Sequence, residues 1–340
     1  MQDQAFAGLK GRSVLVVGGA GYIGSHVSKQ LAARGYDAVI LDDLSTGHRE
    51  AARFGTFIEG DCGDPAVMDR VFREHGIGVV MHFAARAMVG ESMENPILYY
   101  ETNVAKTLLL LAAMLRADVK HFVFSSTCAT FGETDKPIRE DMPQAPVNPY
   151  GRGKLMVETA LRDLQSAHGM NSAVLRYFNA AGTDPEGELG EDHAPETHLI
   201  ARALAAAFGH GANLTVFGKD YPTPDGSGMR DYVHVNDLGD AHIQAMEKIL
   251  TGGGFQDFNL GTGHGSSVFE VLAAVKRATG REVPHAVGPR RAGDPPRLVA
   301  DSARARSVLG WKPRFDLDAI VKTAAAWHGK HPNGYGDKKK

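Results

Sequence analysis

Tyr150 and Lys154 stand four residues apart in Asn148-Pro149-Tyr150-Gly151-Arg152-Gly153-Lys154, on one face if the segment is helical. An ammonium beside a phenol favours the phenolate, so this spacing could turn Tyr150 into a base near neutral pH. The spacing alone means little, since Tyr335 and Lys339 repeat it in the C-terminal tail. Position separates the two pairs. Tyr150 is the one that follows a strand-like run ending Phe124-Ser125-Ser126-Thr127, and the Thr127 hydroxyl could reach the same substrate oxygen. The plainer role for Thr127 is a strand-end hydroxyl that satisfies backbone.

A second group of residues could hold a dinucleotide. The apolar run Ser13–Val17 leads into Gly18-Gly19-Ala20-Gly21-Tyr22-Ile23-Gly24 and then into a helical stretch. Glycines at 18, 21 and 24 permit a tight turn, close approach of a pyrophosphate and tight helix packing, while the helix N-terminus attracts negative charge. Asp42, 18 residues after Gly24 at the end of the next strand-like run, can accept both adenosine ribose hydroxyls. A carboxylate there repels a 2′-phosphate, which favours NAD over NADP, with His48 and Arg49 nearby as complications. Asp61, in Glu59-Gly60-Asp61-Cys62, suits an acceptor for the adenine amino group or a solvent-facing turn acid. The positive nicotinamide ring of bound NAD would add to the effect of Lys154 on Tyr150.

These groups need a scaffold, and the chain supplies an alternating one. Residues 13–17, 39–41, 79–84 and 121–125 read as strands with helical stretches between them, 24–34 being the first. Strands separated by helices imply βαβ units and an α/β fold with a doubly wound parallel sheet of the Rossmann type, which collects ligands at the carboxyl ends of its strands. After Asn179 the texture becomes less regular. The expectation is a dinucleotide-binding domain over 1–180 and a smaller C-terminal substrate domain over 181–340, with part of 230–260 packing back on the first.

Composition bounds the partners. The 340 residues are 43% hydrophobic and 23% charged, enough for a sizeable core and roughly two domains. With 37 basic against 40 acidic residues, the net charge of −3 offers no general attraction for nucleic acid or an acidic membrane, so a small molecule is the expected partner. Cys62 and Cys128 form no CxxC pair, the N-terminus resembles no signal peptide, and the longest apolar run, 108–115, is far short of a bilayer span. A cytoplasmic protein is expected. The 15 histidines are scattered without an HExxH, so no metal is expected.

The motifs GGAGYIGSH, LDDLSTG, HFAA, VGES, FSST, NPYGRGK, LRYFNAAG, FGKDYPTPDGSGMRDYVHV and RRAGDPP, in that order, resemble the extended short-chain dehydrogenases/reductases and, among them, the UDP-sugar 4-epimerase family. The likeness runs from Val14 to about Pro332. It implies reversible epimerisation at C4 of UDP-glucose and UDP-galactose through a 4-ketose, with NAD retained through turnover. UDP-N-acetylhexosamine and UDP-pentose are alternative substrates. By the same resemblance Tyr150 exchanges the O4 proton, Thr127 hydrogen-bonds O4, and Lys154 holds the nicotinamide ribose. Tyr22, Ile23, Asp42, Asp61, Cys62, Phe83, Thr102 and Phe178 fall on cofactor-contacting positions. Asn179, His198, Leu199, Phe217, Arg230, Arg291, Asp294 and Leu298 fall on the nucleotide-sugar side, where arginine suits a diphosphate. The family is commonly dimeric through a helix pair, to which 107–115 could contribute. This chain departs from the family at Ala87 for a lysine, Thr127 for a serine and His198 for an asparagine. It also carries Leu298 where a tyrosine narrows the pocket of some members.

Two rival activities share much of this pattern. A nucleotide-sugar 4,6-dehydratase needs carboxylates just after the strand-end threonine, and here Thr127 is followed by Cys128-Ala129. A non-catalytic NAD-binding sensor would have no use for Tyr150 with Lys154.

Overall fold

A computed structural model describes residues 8–9, 11–132, 134, 136–210, 214–291 and 295–336. Strands and helices alternate from the start: β1 (Ser13–Val17), α1 (Tyr22–Ala33), β2 (Ala38–Asp42), β3 (Thr56–Glu59), α2 (Pro65–His75) and β4 (Ile77–His82). Two short helices, α3 (Val89–Glu94) and α4 (Pro96–Tyr100), precede a π-helical turn over Glu101–Ala105 that runs into α5 (Lys106–Arg116). Then come β5 (His121–Thr127), α6 (Pro149–His168), β6 (Asn171–Tyr177) and β7 (Asn179–Ala181). The rest comprises α7 (Leu199–Phe208), β8 (Leu214–Phe217), β9 (Met229–Arg230), β10 (Tyr232–His234), α8 (Val235–Thr251), β11 (Phe255–Leu260), β12 (Ser266–Ser267), α9 (Val268–Thr279), β13 (His285–Gly288), β14 (Arg297–Leu298) and α10 (Leu317–Lys330).

Seven strands form one parallel sheet in the order β11-β6-β5-β4-β1-β2-β3. The order reverses between β1 and β4, and ligands of such sheets bind at the carboxyl ends beside that reversal. Burial follows from the two-residue period of a strand covered on both faces. Val14 and Val16 of β1 join the core built with α1 and α8, while Leu15 and Val17 join the opposite core with α2, α5 and α6. The expected strands and first helix are present, with ends displaced by a few residues. A third core, formed by Leu204, Val216, Val271, Leu272, Val275, Ile320 and Val321, holds the second lobe together.

Position 180 falls inside β7, which pairs with β10. The later chain then re-enters the first layer. Leu238, Ile243 and Met246 of α8 share a core with Val27 and Leu31 of α1, and β11 pairs with β6 along its length. Among the described residues no helix is long and apolar enough to cross a membrane.

Beneath the carboxyl end of the sheet lies a buried ion network. Glu158 of α6, fully buried, accepts from Ser126 Oγ (2.6 Å), Gln144 Nε2 (3.0 Å) and Arg176 Nη2 (2.7 Å), and Arg176 also reaches Asp257 on β11 (3.1 Å). Deleting one partner leaves the other charge buried and uncompensated. Glu158→Ala should therefore lower stability by roughly 3–5 kcal/mol in urea unfolding, and a loss below ~1 kcal/mol would refute that weight for the network.

Candidate active site

The glycine loop is shaped by backbone contact. Gly18 has φ +78°, and a Cβ there would lie 2.4 Å from the Ala84 nitrogen, so any side chain would part the loop from the exit of β4. A Cβ on Gly24 would meet the Gly18 carbonyl oxygen at 2.2 Å, which fixes how closely α1 seats on β1. Gly21 is the N-cap of α1, and no side chain caps that terminus. The first-turn N–H groups and the helix dipole can therefore serve a pyrophosphate. Asp42, 8% exposed, takes the Ala20 N–H on Oδ2 and the Leu44 N–H on Oδ1, both 2.9 Å, so its carboxylate is fixed beside the loop. Glycine cradle, uncapped helix and oriented carboxylate fit a dinucleotide. Arg49 lies over the Phe57 ring at 4.2 Å.

The remaining expected cofactor residues have varied surroundings. Asp61 accepts from Gly63 N–H (2.8 Å) and pairs with Lys106, so a turn and an ion pair already engage it. Cys62 is buried, which pushes its thiol up to about 12. Phe83 packs against the His242 ring at 4.8 Å, and Ile23 packs on the core near α1. Thr102 lies in the π-helical turn and donates to the Leu98 carbonyl (2.7 Å). Tyr22 donates its hydroxyl to the Gly182 carbonyl, joining the glycine loop to the chain after β7. Phe178 lies half-buried between β6 and β7.

Tyr150 is in the first turn of α6, whose start is set by Pro149 and by Asn148 Oδ1 accepting from Gly151 N–H (2.8 Å). A Cβ on Gly151 would lie 2.1 Å from the Ala129 carbonyl oxygen, so this glycine lets the helix press onto the loop after Thr127. Burial pushes the Tyr150 phenol up to about 12, against a smaller downward pull from the Thr127 side chain. Thr127 Oγ1 also accepts from Ala129 N–H (3.1 Å).

Lys154 does not depress the phenol as the spacing suggests. It is 2% exposed, donates to the Ser125 carbonyl (2.8 Å) and lies 4.7 Å from the Phe124 ring centre. Burial pulls its ammonium down to about 7, opposed by Glu158 one turn on. Desolvation acts on both groups and outweighs their proximity.

Sequence reasoning did not single out Tyr177, which pairs in register with Thr127 and shares a short hydroxyl contact with Ser125. No local signal marks it, because its place is set by the pairing of β5 with β6. Asp231 was also missed. Fully buried, it accepts from Thr262 N–H (2.7 Å), Thr262 Oγ1 (2.6 Å), Gly263 N–H (3.0 Å) and Ala300 N–H (3.1 Å), anchoring the chain beside Arg230.

The expected nucleotide-sugar residues form two groups. Arg230 donates to the Met229 and Pro295 carbonyls (2.7 and 3.1 Å) and lies opposite Leu298 in the β9–β14 pair. Arg230 also acts electrostatically on Cys128, whose thiol burial pushes up to about 12. Because Cys128 follows Thr127, the two halves of the site meet there. Arg291 lies over the Phe217 ring at 4.1 Å. Asn179 begins β7 and donates its backbone N–H to Asp231 (3.1 Å). His198 and Leu199 open α7. Burial lowers the His198 pKa, yet Glu191 and Glu196 outweigh burial and hold it well above the usual histidine range. Asp294 lies outside the described residues.

The profile of the NAD dependent epimerase/dehydratase family matches residues 14–261. Over 329 residues the chain is 48% identical to the UDP-glucose 4-epimerase of Lacticaseibacillus casei, covering 96% of this chain and 99% of that protein. Its structure is similar to a UDP-glucose 4-epimerase from Brucella ovis in complex with NAD, with TM-score 0.92, 50% identity and coverage of 94% and 98%. It is also similar to a UDP-glucose 4-epimerase from Bifidobacterium longum in complex with NAD+ and UDP, with TM-score 0.91, 39% identity and coverage of 95% and 100%.

The low pKa of Lys154 has a thermodynamic consequence. The folded value, about 7, lies below the unfolded value of 10.5, so between them the unfolded chain binds more protons and stability rises with pH. Below about pH 7 the penalty of burying the ammonium is felt in full. In NAD-stripped protein, wild type should gain on Lys154→Met by several kcal/mol between pH 6.5 and 9.5, as about 1.4 kcal/mol per pKa unit implies. Parallel urea-unfolding stabilities across that range would contradict the assignment.

Proposed function

The chain belongs to the NAD dependent epimerase/dehydratase family and is an NAD-dependent C4 epimerase of UDP-sugars; we propose that Tyr150, Thr127 and Lys154 carry its chemistry. The observation that carries this reading is the seating of the first turn of α6, which holds buried Tyr150, directly on the loop that follows Thr127 at the carboxyl end of β5, one strand from the β1/β4 reversal. A phenol and a strand-end hydroxyl placed together there can share one substrate oxygen.

NAD, when bound, would accept the hydride from C4 and give it back to the opposite face of the ketone, and its positive ring would favour the phenolate. Tyr150 takes the O4 proton as the C4–H bond breaks, giving the 4-ketose, and returns that proton to O4 after the sugar has turned its other face. Thr127 orients O4 by hydrogen bonding and relays the proton. Lys154 holds the nicotinamide ribose, its position fixed by the Ser125 carbonyl. Asp42 takes the adenosine ribose, and the first turn of α1 takes the pyrophosphate. Arg230 and Arg291 hold the diphosphate of the sugar nucleotide, Phe217 flanks its uracil, and Leu298 beside Arg230 bounds the sugar pocket. We divide the labour between residues 1–180, with α8 and β11, for the cofactor and the remaining chain for the nucleotide sugar.

Two broader assignments follow. Leu110, Leu111, Ala113 and Met114 of α5 face the core, whereas Leu108, Leu109 and Met156 on α6 are 43%, 44% and 48% exposed. A second copy of the chain would cover that outer face and form a homodimer. The free thiols of Cys62 and Cys128 suit the cytoplasm.

Incubation with UDP-galactose and no added NAD should yield UDP-glucose, and Tyr150→Phe should lower turnover by about 10²–10⁴-fold while NAD stays bound. Stoichiometric release of NADH would replace epimerisation with net oxidation. Leu109→Glu should shift the mass measured by light scattering from dimer to monomer; an unchanged mass would remove α5 from the interface.

A further inference from the structure

Residues 191–198, Glu-Asp-His-Ala-Pro-Glu-Thr-His, lead directly into α7. Their two histidines and two glutamates converge. His198 Nδ1 lies 2.8 Å from Glu191 Oε1 and 3.2 Å from Glu196 Oε1. His193 Nδ1 lies 3.5 Å from the same Glu191 oxygen and 3.4 Å from Glu196 Oε2. One ligand atom from each side chain falls within 4.8 Å of the others. With metal–ligand bonds of about 2.1 Å, the edge of a tetrahedral site is roughly 3.4 Å, close to these separations.

A second observation points to a ligand. The Glu191 side chain is 3% exposed, and its Oε1 is buried without a hydrogen-bond partner. His198 Nδ1 is likewise buried without one, although only 2.8 Å separates the two atoms. A buried ring nitrogen and a buried carboxylate oxygen held this close are arranged like two ligands of a common ion. A cavity of about 180 Å³, lined by Glu191, His193, Glu196, Trp327, His328 and His331, gives an ion a way in. In that wall the His328 Nε2 is also buried without a hydrogen-bond partner.

We propose that Glu191, His193, Glu196 and His198 bind one divalent transition-metal ion of the zinc class. Two imidazole nitrogens with two carboxylates favour zinc, cobalt or nickel over calcium or magnesium, which take oxygen ligands. All four ligands come from eight consecutive residues, so the ion clamps this segment on itself and fixes the first turn of α7. It acts as a positioning ion for His198 and Leu199 and takes no part in hydride or proton transfer. The motif search overlooked the site because its spacing, Glu-x-His-x-x-Glu-x-His, is not HExxH.

The test uses full-length, untagged protein stripped with chelator and titrated with Co²⁺. One equivalent should bind with a visible d–d spectrum, Zn²⁺ should displace it, and Zn²⁺ should raise Tm by mass action. His193→Ala and Glu191→Gln should each weaken binding by about 10–100-fold or more, while His331→Ala on the cavity wall should leave it unchanged. Absence of stoichiometric uptake by wild type, uptake unaltered in both ligand variants, or equal loss in His331→Ala would each overturn the assignment. The wild-type titration stands even if a variant fails to fold.

Discussion

An ammonium at 2% exposure with one carbonyl acceptor is the constraint on which the arrangement around Tyr150 and Thr127 depends. Lys154 must be held where it is poorly solvated, and the surrounding chain is arranged to make that tolerable. Glu158 lies one helical turn away and supplies the opposing charge. Glu158 is in turn fixed by Ser126 and Arg176, and Arg176 by Asp257, which also pairs with Arg304. One line of alternating charge thus runs from the base of the active site into β11. It ties the geometry of β5, where Ser125 and Thr127 present their oxygens, to strands contributed by distant parts of the sequence.

The two halves of the site solve different problems. On the cofactor side the work is done by backbone: glycines without Cβ atoms and an uncapped helix start. On the side proposed for the nucleotide sugar it would fall to long cationic side chains, Arg230 at the β9–β14 pair and Arg291 over the Phe217 ring. The halves meet at Thr127 and Cys128, where strand-end hydroxyl and arginine fields overlap.

How much of this was legible in the sequence follows from how each feature is encoded. The alternating strands and the glycine loop are local, and both stood out: β1, its loop and α1 occupy 21 consecutive residues, Ser13–Ala33. Tyr150 and Thr127 were readable because each sits at the end of a recognisable element. Tyr177 was not, since its place depends on the β5–β6 register, and Asp231 was not, since its donors come from residues 262, 263 and 300. Strands of two or three residues in the second lobe carry too little periodicity to read. The spacing of Lys154 from Tyr150 was legible, whereas the burial of both groups was not. Spacing reports proximity, whereas burial sets the dielectric in which that proximity acts.

The return of β11 to the edge of the first sheet also bears on how the chain is made. Its partner β6 ends at Tyr177, and β11 begins at Phe255 after β7, α7, β8, β9, β10 and α8 have been traversed. Parallel pairing over such a separation closes a long loop before its contacts repay the lost entropy, a topology that folds slowly. A ribosome must therefore release residue 260 before the last edge of the sheet can be filled. Until then the nascent chain carries an open strand edge and an Arg176 that has Glu158 but still lacks Asp257, and it depends on the cell to keep both from finding the wrong neighbour.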